Sequence, residues 1–115
     1  VDELITSSTR LFAHPKVMDD PAKREQVERL VLLLQAVLHA RERVMLEVNV
    51  DAAHFDQVIA VLPCMREPTV APLHGDSGYA VKAAVPRMDL PRVVPEVKAA
   101  GGTDIVVTKL SHIVA

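Results

Sequence analysis

Val44-Met45-Leu46-Glu47-Val48-Asn49-Val50 decides the fold. Valine or leucine stands at 44, 46, 48 and 50, with Met45, Glu47 and Asn49 between them. That period of two is the signature of a strand with one buried face. After it, Asp51 reads as the cap of a short helix carrying Phe55, Val58, Ile59 and Leu62 on one side and stopping near Pro63. Thr69–Leu73 is a short apolar strand, and Pro72 within it suits an edge or irregular position. His74-Gly75-Asp76-Ser77-Gly78 is turn chemistry. Tyr79, Val81, Ala83 and Val85 alternate again and form a hairpin with the preceding strand. Asp89 caps a second helix that ends at Gly101-Gly102. Pro95 must either kink that helix or mark its start. Asp104–Val107 closes as a strand, followed by an apolar tail through Ile113.

From Arg43 the order is therefore strand, helix, strand, strand, helix, strand. This predicts an α+β fold of the ferredoxin-like βαββαβ kind: an antiparallel sheet with two helices on one face. An extra strand and a long helix are expected before it. Glu3–Ala13, closed by His14-Pro15, reads as the strand. Asp20 followed by Pro21 starts the helix. Val27, Leu30, Val31, Leu34, Val37 and Leu38 give that helix an apolar stripe as far as Arg41. The stripe is expected to fold back on the sheet or to pair with a second copy, giving a homo-oligomer. The charged junction Arg41-Glu42-Arg43 divides the chain into 1–42 and 43–115.

Composition bounds the function. The chain has 115 residues, the length of one compact unit. Half are apolar and 24% charged, as in folded proteins. Only Phe12, Phe55 and Tyr79 are aromatic and the net charge is −2, which argues against a nucleic-acid partner. The longest apolar run, Leu30–Leu34, is far short of a membrane span, so no membrane partner is expected. A lone Cys64 excludes an internal disulfide. The five histidines are scattered over separate elements, so no metal site is expected. Cys64 could be a nucleophile, but a small buried hydrophobe is the simpler reading. No glycine-rich phosphate loop exists. No catalytic residues are assigned, and the chain alone is expected to be catalytically silent. It opens on Val1, consistent with a processed product or a piece of a longer protein.

The chain resembles the C-terminal part of long-form ATP phosphoribosyltransferases. The matching stretches are Asp20-Pro21 with Lys23-Arg24-Glu25, Leu32-Leu33-Leu34-Gln35, Ala40-Arg41-Glu42-Arg43, Asn49-Val50, Leu62-Pro63, Pro68-Thr69-Val70-Ala71-Pro72-Leu73, Ala80-Val81, Val85-Pro86 and Asp104-Ile105-Val106-Val107. The proline–threonine–proline block is the most specific of them.

The resemblance implies that 43–115 is a regulatory domain binding L-histidine as feedback inhibitor. Residues 1–42 would end the catalytic part of the same polypeptide. The parent enzyme would be a cytoplasmic hexamer acting on ATP and phosphoribosyl pyrophosphate with magnesium, in the first step of histidine biosynthesis; this chain itself would take no cofactor. By the same resemblance Asn49, Met65, Glu67, Thr69, Ala84 and Asp104 would form the histidine pocket. Two positions depart from the family pattern and are expected at the pocket or its rim. Cys64 stands where a small residue is usual, and Gly78 stands where many members carry tryptophan. The competing readings are a ligand-independent oligomerisation module and a stand-alone small-molecule sensor of the same fold.

Overall fold

The computed structural model describes residues 10–115. The strand expected over Glu3–Ala13 lies mostly outside the described residues. Its described part, Arg10–Ala13, is not in a strand. His14-Pro15 does not close a strand either. It opens a short helix, α1 (Pro15–Asp19), because proline suits the first helical position and His14 Nδ1 accepts from the Lys16 N–H at 3.1 Å.

Helix α2 (Pro21–Glu42) starts as the sequence predicts: Asp20 Oδ1 accepts from the N–H of Ala22 at 3.0 Å. It runs directly into β1 (Arg43–Val50), with no linker residue between them. There follow α3 (Phe55–Val61), β2 (Thr69–Pro72), β3 (Tyr79–Pro86), α4 (Leu90–Ala99) and β4 (Thr103–Lys109). The sheet order is β2-β3-β1-β4, and every adjacent pair is antiparallel. This is the ferredoxin-like arrangement, with β1 and β3 in the centre.

Alternation in the two central strands builds the core. Val44, Leu46, Val48 and Val50 of β1, with Val81, Ala83 and Val85 of β3, point to one face. There they meet Val58 and Leu62 from α3 and its C-terminal cap, and Val93 and Val97 of α4. β-branched side chains suit both jobs, pleated backbone and tight interior. Phe55 and Tyr79 stack at one edge, ring centroids 4.8 Å apart. Pro95 lies inside α4, so it does not mark the helix start.

Asp51 and Asp89 depart from the simple capping expected of them. Asp51 binds the N–H of His54 at 2.9 Å and its Nδ1 at 2.7 Å, so it holds the turn before α3 rather than the helix end itself. Asp89 occupies the cap position of α4 but makes no capping bond.

The stripe of α2 does not fold back on the sheet. Only Ala36 and Ala40 are buried, while Leu30, Leu34 and Leu38 stay about half exposed. The two alanines let other backbone approach closely: the N–H of Ile113, in the apolar tail, donates to the Ala36 carbonyl at 3.0 Å.

Candidate functional site

The face of the sheet opposite α3 and α4 carries Met45, Glu47 and Asn49 from β1 and Lys82 and Ala84 from β3. Thr69 of β2 stands opposite Lys82 in the ladder, and Met45 stands opposite Ala84. The segment after α3 returns along the free edge of β3, where the Met65 N–H donates to the Ala84 carbonyl at 3.3 Å. Between that segment and the sheet lies a cavity of about 180 Å³ lined by Met45, Cys64, Met65, Arg66, Glu67, Thr69, Lys82, Ala83 and Ala84. Pockets for drug-sized ligands measure roughly 300–1,000 Å³, so this one suits a molecule the size of a single amino acid, not a nucleotide.

The chemistry of the lining is mixed. Met45, Met65 and the two alanines give an apolar wall. Arg66 and Lys82 supply positive charge, Glu67 negative charge, and Thr69 a hydroxyl that donates or accepts. Cys64 Sγ donates to the Leu62 carbonyl at 3.4 Å, and burial pushes its thiol above the ordinary value. A protonated thiol is a poor nucleophile.

Of the six residues singled out by resemblance, four line this cavity: Met65, Glu67, Thr69 and Ala84. Asn49 and Asp104 do not. They form a second cluster, where Asn49 Nδ2 donates to Asp104 Oδ2 at 3.4 Å and Thr103 Oγ1 donates to the Asn49 carbonyl at 3.3 Å. The cause is the ladder itself. Asn49 lies four residues beyond Met45 on β1, about 13 Å along a strand. The β1–β4 register shifts between Glu47 and Asn49, and Asp104 sits at this irregularity with φ +52°. A bulge of this kind re-aims a side chain, and aspartate tolerates the left-handed backbone it requires.

Met45, Arg66, Lys82 and Ala83 are lining residues that the resemblance did not supply. Lys82 was within reach of pattern alone, because it alternates with Val81 and Ala83 and falls opposite Thr69. Of the two positions that depart from the family pattern, Cys64 lines the cavity and Gly78 does not. Gly78 lies against the end of β1 at φ +147°, where a Cβ would overlap the Val50 carbonyl oxygen.

A second, larger hollow of about 940 Å³ runs between Arg10–Ala13, Met18 and the leucine face of α2. Its lining is almost wholly apolar, with Arg10, Gln35 and Arg41 as the polar exceptions. Among the described residues no three His, Cys, Asp or Glu side chains gather as a metal set. No described helix is long and apolar enough to cross a membrane.

A four-stranded α+β unit with an amino-acid-sized cavity of mixed lining on its open face has the make-up of a small ligand-binding domain. Comparison with known proteins makes this specific. Residues 40–112 match the family model described as HisG, C-terminal domain, and the chain belongs to that family. It is 41% identical over 114 residues to the ATP phosphoribosyltransferase of Halobacterium salinarum, covering 99% of this chain and 39% of the relative. The ATP phosphoribosyltransferase of Natronomonas pharaonis is 40% identical over 114 residues, with coverage of 99% and 39%. That of Pelotomaculum thermopropionicum is 34% identical over 111 residues, with coverage of 96% and 38%. The chain thus spans under two fifths of the length of these relatives.

Proposed function

We propose that this chain is the regulatory region of an ATP phosphoribosyltransferase and that its cavity binds L-histidine as a feedback inhibitor. The observation that carries the reading is the meeting of Met65, Glu67, Thr69 and Ala84 around one cavity of amino-acid size. Histidine presents a carboxylate, an ammonium group and an imidazole on a short stem. Arg66 and Lys82 suit the carboxylate, Glu67 suits the ammonium group, and Met45 and Met65 suit the flat face of the ring. Thr69 serves a ring nitrogen. The parent enzyme joins ATP and phosphoribosyl pyrophosphate with magnesium in the first step of histidine biosynthesis. Residues 1–42 are the final section of the catalytic part, whose chemistry is carried elsewhere in the polypeptide, and 43–115 are the regulatory domain. The protein works in the cytoplasm.

The catalytic part also offers a partner for the apolar hollow beside α2, whose exposed leucines need cover in water. The second cluster bears on assembly. Thr69 stands in the row of Lys82 and Glu47, so two strands, roughly 10 Å, and two residues of strand separate it from Asn49, more than a single histidine bridges. Asn49 and Asp104 would instead serve the cavity of a second copy packed on the same open sheet face, within a hexamer of the full enzyme.

Calorimetric titration of the chain with L-histidine, with alanine and lysine as controls, tests the reading. Saturable binding of histidine alone is expected, and no heat beyond dilution would sink it. The second reading, a module that only assembles subunits, is favoured by the exposed leucine face of α2 and by the edge strands β2 and β4. Oligomers that form equally with and without histidine, in a chain that binds none, would favour it.

A further inference from the structure

Arg43 ends helix α2 as its C-terminal cap and is the first residue of β1. Its Nη1 donates to the carbonyl of Ala84 at 3.3 Å, in a part-buried setting. The same carbonyl accepts the Met65 N–H at 3.3 Å. Met65 and Ala84 line the cavity, whereas Arg43 does not. One carbonyl oxygen therefore joins three things: the end of α2, the β3 wall of the cavity and the segment that closes the cavity from the side.

We propose that Arg43 is a positioning residue that couples occupation of the cavity to the last turn of α2. The proposal rests on the reading of the cavity as a ligand site. A molecule that presses on Met65 or draws in the Ala84 strand must change how their shared carbonyl is presented. The guanidinium feels that change first, because a charge-assisted hydrogen bond is both stronger and more directional than a neutral one. Arg43 follows α2 with no linker, so a change in its side chain reaches helical backbone within one residue. The β1–β3 ladder is a poor alternative route. It is bonded continuously from Arg43 opposite Pro86 to Val50 opposite Tyr79 and has no slack. Coupling requires that the ligand distinguish two arrangements of such a contact.

The test is amide NMR of the full chain during titration with L-histidine. In the wild type, resonances of Met65 and Ala84 should move together with those of Ala40, Arg41 and Glu42. Arg43→Met keeps the apolar stem and removes the donors. It should leave the movements at Met65 and Ala84 and abolish those in α2. Its histidine Kd should change less than about fivefold, the lower end of measured allosteric couplings. An undiminished α2 response in Arg43→Met overturns the proposal. If Arg43→Met does not fold, Arg43→Lys carries the same comparison, with a reduced α2 response expected. If histidine moves nothing in the wild type, the histidine reading fails by itself and the bridge is judged without ligand. Arg43→Met should then displace the Met65 and Glu42 resonances together, and displacement confined to α2 overturns it.

Discussion

The backbone N–H of Ile113 donates to the carbonyl of Ala36, 3.0 Å away, from a point 77 residues later in the chain (113 − 36). This contact straps the tail beyond β4 across α2, on the one face where that helix is buried. Ile113→Pro removes the donor. A typical internal hydrogen bond contributes about 0.5–1.5 kcal/mol, and a loss of that order is expected in chemical denaturation. Amide exchange should quicken in the second half of α2 and stay unchanged in β1 and β3. Ala36→Leu should cost more, about 1–3 kcal/mol, because it overfills a position that admits only a methyl group.

The same region explains what the sequence could and could not say. The alternation in β1 was a sound guide, because Val44, Leu46, Val48 and Val50 are all at most 2% exposed. The periodicity of α2 identified a helix correctly, but its leucine stripe is not the face buried against the rest of the described residues. Among the described residues the leucines stay about half exposed, and the contact uses the small residues Ala36 and Ala40, which a hydrophobic pattern undervalues. His14-Pro15 is equally compatible with a strand end and a helix start, and only the capping geometry decides between them. At the candidate site the resemblance identified residues without their spacing. Thr69 and Asn49 are both on the open sheet face, yet two strands apart and two residues out of row. That separation depends on strand order and ladder register, and the Asn49–Asp104 pairing on an irregularity in β4, none of which has a strong sequence signal. Lys82 was legible from parity with Val81 and Ala83.

Gly78 gives a sharp stability test. It combines φ +147° with a backbone approach so close that a Cβ would overlap the Val50 carbonyl oxygen. Gly78→Ala must either move the hairpin away from β1 or hold an unfavourable backbone, a cost of about 1–3 kcal/mol. Each kcal/mol should lower the melting temperature by about 4–8 °C in a unit of this size. Gly75→Ala is the control, since it also has a positive φ, +76°, but nothing lies within 4 Å of a Cβ there. A larger loss at 78 than at 75 is the expected result in thermal melts.

Asp51 gives a pH test. Its carboxyl is held below the ordinary 3.8, chiefly by the side-chain hydrogen bond from His54. A carboxylate with a lowered native pKa binds fewer protons folded than unfolded, so its contribution is present above the unfolded value. That contribution is lost as pH falls through 3.8 and on through the lowered native value. Asp51→Asn should therefore flatten the acid limb of the stability curve. Denaturant midpoints measured from pH 2 to pH 7 would check this, and an unaltered acid limb would show that the pair contributes nothing to it.

Thr69 and Lys82 face each other across the β2–β3 ladder at the cavity, and they separate two parts of the proposed ligand. Thr69→Val keeps the side-chain shape and removes the hydroxyl. A ligand nitrogen left unpaired costs about 1–3 kcal/mol, or roughly a 5- to 150-fold weaker Kd. Lys82→Met keeps an apolar stem and removes the charge. It should weaken L-histidine but leave histamine, which has no carboxylate, nearly unchanged. Thr69→Val should weaken both, because both carry the imidazole. In the intact enzyme each variant should raise the histidine needed for inhibition while leaving the uninhibited rate alone, since neither residue belongs to a catalytic array. Calorimetry with the two ligands on the two variants gives four affinities. Equal weakening of histidine and histamine by Lys82→Met would remove the carboxylate from that lysine, and wild-type affinity in Thr69→Val would place the ligand elsewhere on the sheet.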